Sequence, residues 1–188
     1  PMMSQAELFP GVVQFMLRCK HRGDDLFIVS HKTEYGHFDP TETPLRQVAL
    51  QWMTQCGFFK KTKCGLSQEQ VFFESTRNEK VSRISSLDLD VFVDDLKEVF
   101  AEDDFPNIEK ILFTTDIDEE QDVVNCNNWS SIANEVLGPI TDEDCKIMAQ
   151  TITKEGILKV QKIRGRGNSR IYQVVTESNQ VYALKYYP

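Results

Sequence analysis

Val91-Phe92-Val93-Asp94-Asp95 is the stretch on which the fold turns: a short apolar run, rich in β-branched residues, that ends on two carboxylates. Such a run suits a strand buried on both faces of a parallel sheet, with polar groups emerging at its carboxyl end. Three more runs share this form. Leu26-Phe27-Ile28-Val29 leads into Ser30-His31-Lys32-Thr33, Val71-Phe72-Phe73 into Glu74-Ser75-Thr76, and Ile111-Leu112-Phe113 into Thr114-Thr115-Asp116. Helical patterns lie between and around them. Pro10 to Arg22 places Val12, Val13, Phe15, Met16 and Cys19 on one face. Thr43-Pro44 reads as an N-cap and first turn before a stripe of Leu45, Val48, Ala49, Trp52 and Met53. Glu79 to Leu87 reads as a short helix, Leu96 to Phe100 as a helical turn, and Trp129 to Leu137 as a helix stopped by Gly138-Pro139. Strand and helix in alternation predict a parallel α/β sheet.

Ligands of such sheets bind beyond the carboxyl ends of the strands, which directs attention to the residues found there. The Ser30 hydroxyl, the neighbouring His31 and nearby backbone amides suit the oxygens of a phosphate group. Asp94 and Asp95 supply the hard oxygen ligands that Mg²⁺ takes alongside retained waters. Lys80 is placed to neutralise charge developing on a transferring phosphoryl group. The plain alternatives are that Ser30-His31 opens a helix and that Asp94-Asp95 is a solvated turn of an acidic chain. Placement at successive strand ends is what favours the site.

The chain carries 21 Lys+Arg against 29 Asp+Glu, a formal charge of −8 in 188 residues. The charge is uneven: from Lys154 onward there are seven basic residues and two acids, leaving 14 basic and 27 acidic before it. That reversal predicts two units with different surfaces. The acidic unit is unsuited to nucleic acid, whose phosphates require a basic face. The longest apolar runs fall far short of the roughly 20 residues that span a bilayer, so no membrane association is expected. Five cysteines with no Cys-x-x-Cys pair argue for reduced thiols, hence a cytoplasmic setting, and against a zinc cage. His21 and His37 have no matching metal partners, and the acidic runs at Glu102–Asp104 and Asp116–Glu120 lack the pattern of an EF-hand loop.

The order Pro10-Gly11-Val12, Leu26 to Thr33, Lys80 and Val91 to Asp95 resembles the haloacid dehalogenase-like (HAD) phosphohydrolases over about residues 8–138. The resemblance implies a Rossmannoid parallel sheet with flanking helices. It makes Ser30 the phosphate ligand of the second motif, Lys80 the third-motif lysine, with Arg77, Lys61 and Lys63 as rivals, and Asp94 and Asp95 the magnesium carboxylates. The family's nucleophile motif, a strand ending in Asp-x-Asp, has no counterpart in residues 1–25, where Asp24-Asp25 precedes a strand instead of following one. In the family that strand is central, between those carrying Ser30 and Asp94. The expectation is therefore a piece of a longer protein whose first strand lies upstream; the alternative is a degenerate, non-catalytic relative.

Beyond a helical linker at 141–156, residues 157–188 change character. Leu158, Val160 and Ile163 are expected to point inward, Ile171 to Val175 forms a second strand, Glu177 to Gln180 a hairpin turn and Val181 to Tyr186 a third strand. Gly165-Arg166-Gly167-Asn168-Ser169 separates the first two. Glycine amides approach phosphates closely, and a lysine on a strand can pair the α/β-phosphates; an ordinary hairpin with Lys185 in solvent is the alternative. With Ala183-Leu184-Lys185 the segment resembles the start of the nucleotide-binding lobe of kinase-like aminoglycoside or choline phosphotransferases. That resemblance implies ATP held by Gly165, Gly167, Asn168, Ser169 and Lys185. Taken together, residues 1–140 read as a Mg²⁺-dependent phosphohydrolase-like domain acting on a phosphorylated small molecule. Residues 157–188 read as an incomplete ATP-binding lobe, and the fragment is expected to be inactive in both reactions. A silent binding or regulatory module on the same scaffold is the competing reading.

Overall fold

The computed structural model describes residues 6–36, 40–61, 63–116, 122–164 and 170–186. The chain is a mixed α/β protein with parallel strands in its first part and a three-stranded antiparallel sheet at its end. Helix α1 (Val12–Arg22) begins after Gly11 and ends at Gly23, whose backbone adopts the left-handed conformation that glycine reaches without strain. Strand β1 (Ile28–His31) follows, then α2 (Leu45–Cys56), β2 (Val71–Glu74), α3 (Arg77–Ser86), β3 (Val91–Asp94) and the single turn α4 (Lys97–Phe100). Next come β4 (Glu109–Phe113), β5 (Val124–Cys126), α5 (Trp129–Leu137), α6 (Asp142–Thr153) and the hairpin strands β6 (Ile157–Ile163), β7 (Arg170–Thr176) and β8 (Val181–Tyr186).

The parallel strands form two groups. β1 pairs with β2 in one, and β3, β4 and β5 pair in order in the other. Alternate residues of both groups nevertheless face the same two helical layers. Ile28, Val71, Val91, Val93 and Ile111 pack with α1, α2 and α5, while Val29, Phe72, Phe92 and Leu112 pack with α3 and α4. Since side chains alternate across a strand, shared layers on both faces place the two groups in one interrupted plane. The interruption lies between β1 and β3, whose residues line a cavity of about 870 Å³.

The sheet β6-β7-β8 is antiparallel throughout. Helix α6 covers one of its faces: Cys145 and Met148 pack on Tyr172, and Ala149 on Ile157 and Val174. The segment expected as a linker is therefore a twelve-residue helix with its own core, opened by a capping box between Thr141 and Asp144. It also meets α1, where buried Arg18 stands 3.2 Å from Asp144 and donates from Nη2 to the Gly138 carbonyl at 3.0 Å.

Several expectations are corrected. Ser30 and His31 belong to β1 rather than following it, because Ser30 pairs with Phe73 and His31 with Glu74. Pro44 occupies the cap of α2 without a side-chain cap bond, and Thr43 instead hydrogen-bonds Thr41. Leu158 and Ile163 do not point inward: they are 61% and 40% exposed, and a register shift between Ile157 and Lys159 changes the alternation. Strand β5 was not expected, since Asn125 and Cys126 interrupt its apolar pattern.

Candidate functional site

The carboxyl ends of three strands meet at one rim. Thr76 caps α3 directly after β2, accepting from the Glu79 amide at 3.1 Å, while Glu79 reciprocates to the Thr76 amide at 3.0 Å. This fixes the first turn of α3 above the end of β2 and puts Lys80 there. The Lys80 ammonium is ion-paired with Asp94 at the end of β3, both side chains being almost wholly buried. Its Nζ lies 5.6 Å from the Phe92 ring centroid, so the pair rests on the apolar layer beneath. At the adjoining end of β1, His31 donates from Nε2 to the Ser75 carbonyl at 3.0 Å, a bond that places the ring proton on Nε2. Ser30 stands one residue earlier, and its hydroxyl has no hydrogen-bond partner among the described residues. Ser30, His31 and Asp94 stand at the carboxyl ends of β1 and β3. Side-chain alternation puts His31 and Asp94 on the α3 face with Val29 and Phe92, and Ser30 on the opposite face with Ile28 and Val93.

Arg46 also belongs to this rim, and the sequence reading did not single it out. From the first turn of α2 it donates to the Lys32 carbonyl at 2.9 Å and to the Ser75 hydroxyl at 2.7 Å, with Glu34 at 3.6 Å. Its place directly after the Pro44-Leu45 helix start was the available signal. The cations considered as rivals to Lys80 lie elsewhere. Arg77 pairs with Glu102 at 3.1 Å, Lys63 points to the Cys56 carbonyl at 3.5 Å, and Lys61 accepts from Lys20 through its carbonyl.

The carboxylates differ from each other. Both Asp94 oxygens are engaged, one by Lys80 and the other by the Leu96 amide at 3.0 Å. Asp95 is exposed at the surface of the rim. Among the described residues no group of three or more His, Cys, Asp or Glu side chains could hold a metal ion. Asp94 is thus committed within the protein, and Asp95 is the carboxylate of the pair that remains exposed. No chemical step follows through a metal from these residues.

In the antiparallel sheet, Lys185 lies opposite Ile171, and Ile171 opposite Ile163, so the three share one row on the face turned away from α6. Ala183 and Gln173 form the next row on that face. Gly165, Gly167, Asn168 and Ser169 lie outside the described residues, as does His37. Lys185 and the rim belong to separate sheets.

All five cysteines are free thiols. Burial pushes Cys19 up to about 12, helped by Asp24, and Cys145 up to about 11. Burial also raises Cys64 and Cys126. None of these four supplies a thiolate at neutral pH, which removes them as nucleophiles. No helix among the described residues is long and apolar enough to cross a membrane. Comparisons of the chain with protein families, with curated proteins and with solved structures gave no match.

Proposed function

We propose that the rim receives a phosphorylated small molecule, and that residues 1–140 are the phosphate-handling part of a phosphohydrolase of HAD-like type. The observation that supports this reading is the buried Lys80–Asp94 ion pair at the carboxyl end of β3, with Ser30 near the carboxyl end of β1. The Ser30 hydroxyl and backbone amides after β1 would donate to the phosphate oxygens, as hydrogen bonds to an anion are stronger than those between neutral groups. Lys80 would balance the phosphate's charge, with Asp94 fixing where its ammonium sits. Asp95 is the carboxylate left to face a cation. Magnesium enters this reading only with a further oxygen donor beside Asp94, supplied from outside the described residues. The chain by itself is accordingly expected to bind phosphate without turning substrate over.

The test is an NMR titration of the chain with inorganic phosphate. Amide shifts should centre on Ser30, His31, Thr33 and Lys80, and Ser30→Ala should weaken binding about tenfold, the equivalent of one hydrogen bond to a charged group. Shifts confined to the basic stretch after Lys154 would refute the reading. For the antiparallel unit we propose the start of an ATP-binding phosphotransferase lobe, on the shared face of Ile171, Ala183 and Lys185. Calorimetry with Mg-ATP on a longer polypeptide should then show binding that Lys185→Ala weakens.

The second reading, a catalytically silent module that binds a nucleotide or a partner on the same scaffold, is favoured by the commitment of both Asp94 oxygens within the protein. Phosphate binding combined with failure of a longer, Mg²⁺-loaded polypeptide to hydrolyse phosphate esters would select it.

A further inference from the structure

Residues 43–68 hold no aspartate or glutamate, in a chain that carries 29 of them. Lys60, Lys61 and Lys63 fall within the loop at 57–65, and Lys20 of α1 joins them by donating to the Lys61 carbonyl at 2.6 Å. All four lysines are exposed. None has a carboxylate partner among the described residues, whereas Arg18, Arg22, Arg46, Arg77, Lys80 and Arg83 each have one. The loop follows α2, which runs back from the carboxyl end of β1, and it leads through the turn Gln68–Gln70 into the start of β2. Because β1 and β2 are parallel, the lysines lie at the amino-terminal end of the strands, away from the rim.

The loop is fixed by groups other than its lysine side chains. Phe58, Cys64 and Leu66 bury themselves in the core. The Gly57 amide donates to the Met53 carbonyl, the Gly65 amide to the Lys60 carbonyl and the Leu66 amide to the Phe58 carbonyl, each at 3.0 Å. Gly57 and Gly65 both have positive φ, and both leave room for lysine. A Cβ at Gly57 would stand 2.6 Å from Cδ of Lys63, and one at Gly65 would collide with the Lys20 ammonium. Lys63 in turn reaches the Cys56 carbonyl at 3.5 Å. Backbone carbonyls thus hold two ammonium groups beside two more in the open, a gathering of like charge that costs stability unless an anion offsets it. Local rules are broken in this way where a surface has a task.

We propose that Lys20, Lys60, Lys61 and Lys63 form a docking site for an acidic segment of a partner protein. Sites for small molecules are concave, whereas these side chains stand out in solvent and meet a partner that comes to them. A nucleic acid or an anionic bilayer spreads its charge over a wide surface, which would also meet the exposed Asp24 and Asp25 of the turn after α1. A short run of glutamates or aspartates reaches the lysines and avoids those acids. Charge complementarity of this exposed kind speeds association and weakens with salt. The site lies at the opposite end of the strands from the rim and does not depend on the phosphate reading.

The test is an NMR titration of the 188-residue chain with a hexaglutamate peptide at low salt. Amide shifts should centre on Lys20, Lys60, Lys61, Lys63 and Gly65. The double variant Lys60→Gln with Lys61→Gln should weaken binding about tenfold, the loss of two exposed charge pairs, and high salt should weaken it as well. Lys159→Gln, outside the loop, should leave the affinity unchanged. The double variant should melt no lower than the parent, because it relieves repulsion and removes no core contact. A lower melting temperature would show that the lysines serve the fold and would overturn the proposal. So would peptide shifts absent from the loop or confined to the basic residues after Lys154. Tighter binding at the loop by oligouridylate or by phosphatidylserine vesicles than by the peptide would overturn it too. Shifts at Ser30 and Lys80 with inorganic phosphate read the rim separately, so either proposal can fail while the other stands.

Discussion

Lys80 and Asp94 bury a cation and an anion against each other on an apolar layer, where neither finds water. Removing one partner strands the other charge, so Lys80→Met should cost about 3–5 kcal/mol of stability by denaturant unfolding. The double variant Lys80→Met with Asp94→Leu should recover most of that loss, because an apolar pair of similar volume replaces a buried ion pair at little cost. A single variant as stable as the parent would show that the pair is solvated. The thiols offer an independent check on packing. A disulfide reagent applied to the native chain should modify half-buried Cys56 rapidly. Cys19, Cys64, Cys126 and Cys145 should react only on unfolding, since burial keeps them protonated. Fast labelling of more than one thiol would contradict the described core.

Among the elements, α6 couples the two parts of the chain through charge. Burial disfavours ionisation of Asp144, but the Thr141 amide and hydroxyl and the Arg18 guanidinium outweigh it and hold the carboxyl below the usual carboxylate range. A depressed folded value means that the stabilisation is present above the unfolded value, about pH 4, and is lost as pH falls through the folded one. Melting followed against pH should therefore show an acid-side loss that Asp144→Asn removes; an identical acid limb in both proteins would assign the loss to other carboxylates. The elements also show what could be read from sequence. Trp129–Leu137 has a 3.6-residue stripe and a glycine stop, and its boundaries were legible for that reason. Val91–Asp94 was legible because both its faces are buried. β5 was not, since three residues with an asparagine in the middle carry no period. Leu158 and Ile163 misled because one register shift reverses the faces of a strand. At the site, Lys80 and Asp94 could be named from their order along the chain, but their mutual burial depends on a tertiary approach. Arg46 had only its place after the Pro44-Leu45 helix start to mark it, because its contacts are to the Lys32 carbonyl and the Ser75 hydroxyl, just past the ends of β1 and β2.

On the scale of the whole molecule, two half-sheets share helical layers on both faces, and Ser30 and Asp94 each stand at the carboxyl end of a parallel strand. The phosphate reading depends on it. The antiparallel sheet stands apart from the rim and touches the first unit through α6 and α1. Nucleotide binding at Lys185 and phosphate binding at Ser30 should consequently be additive, with no effect of one variant on the other site. The most direct measurement is a crystal structure of the chain grown with tungstate, a heavy tetrahedral oxyanion that anomalous scattering locates without ambiguity. The account predicts the anion at the rim, in contact with Ser30 and facing the Lys80–Asp94 pair. Tungstate bound only at the basic residues beyond Lys154, with the rim empty, would contradict it.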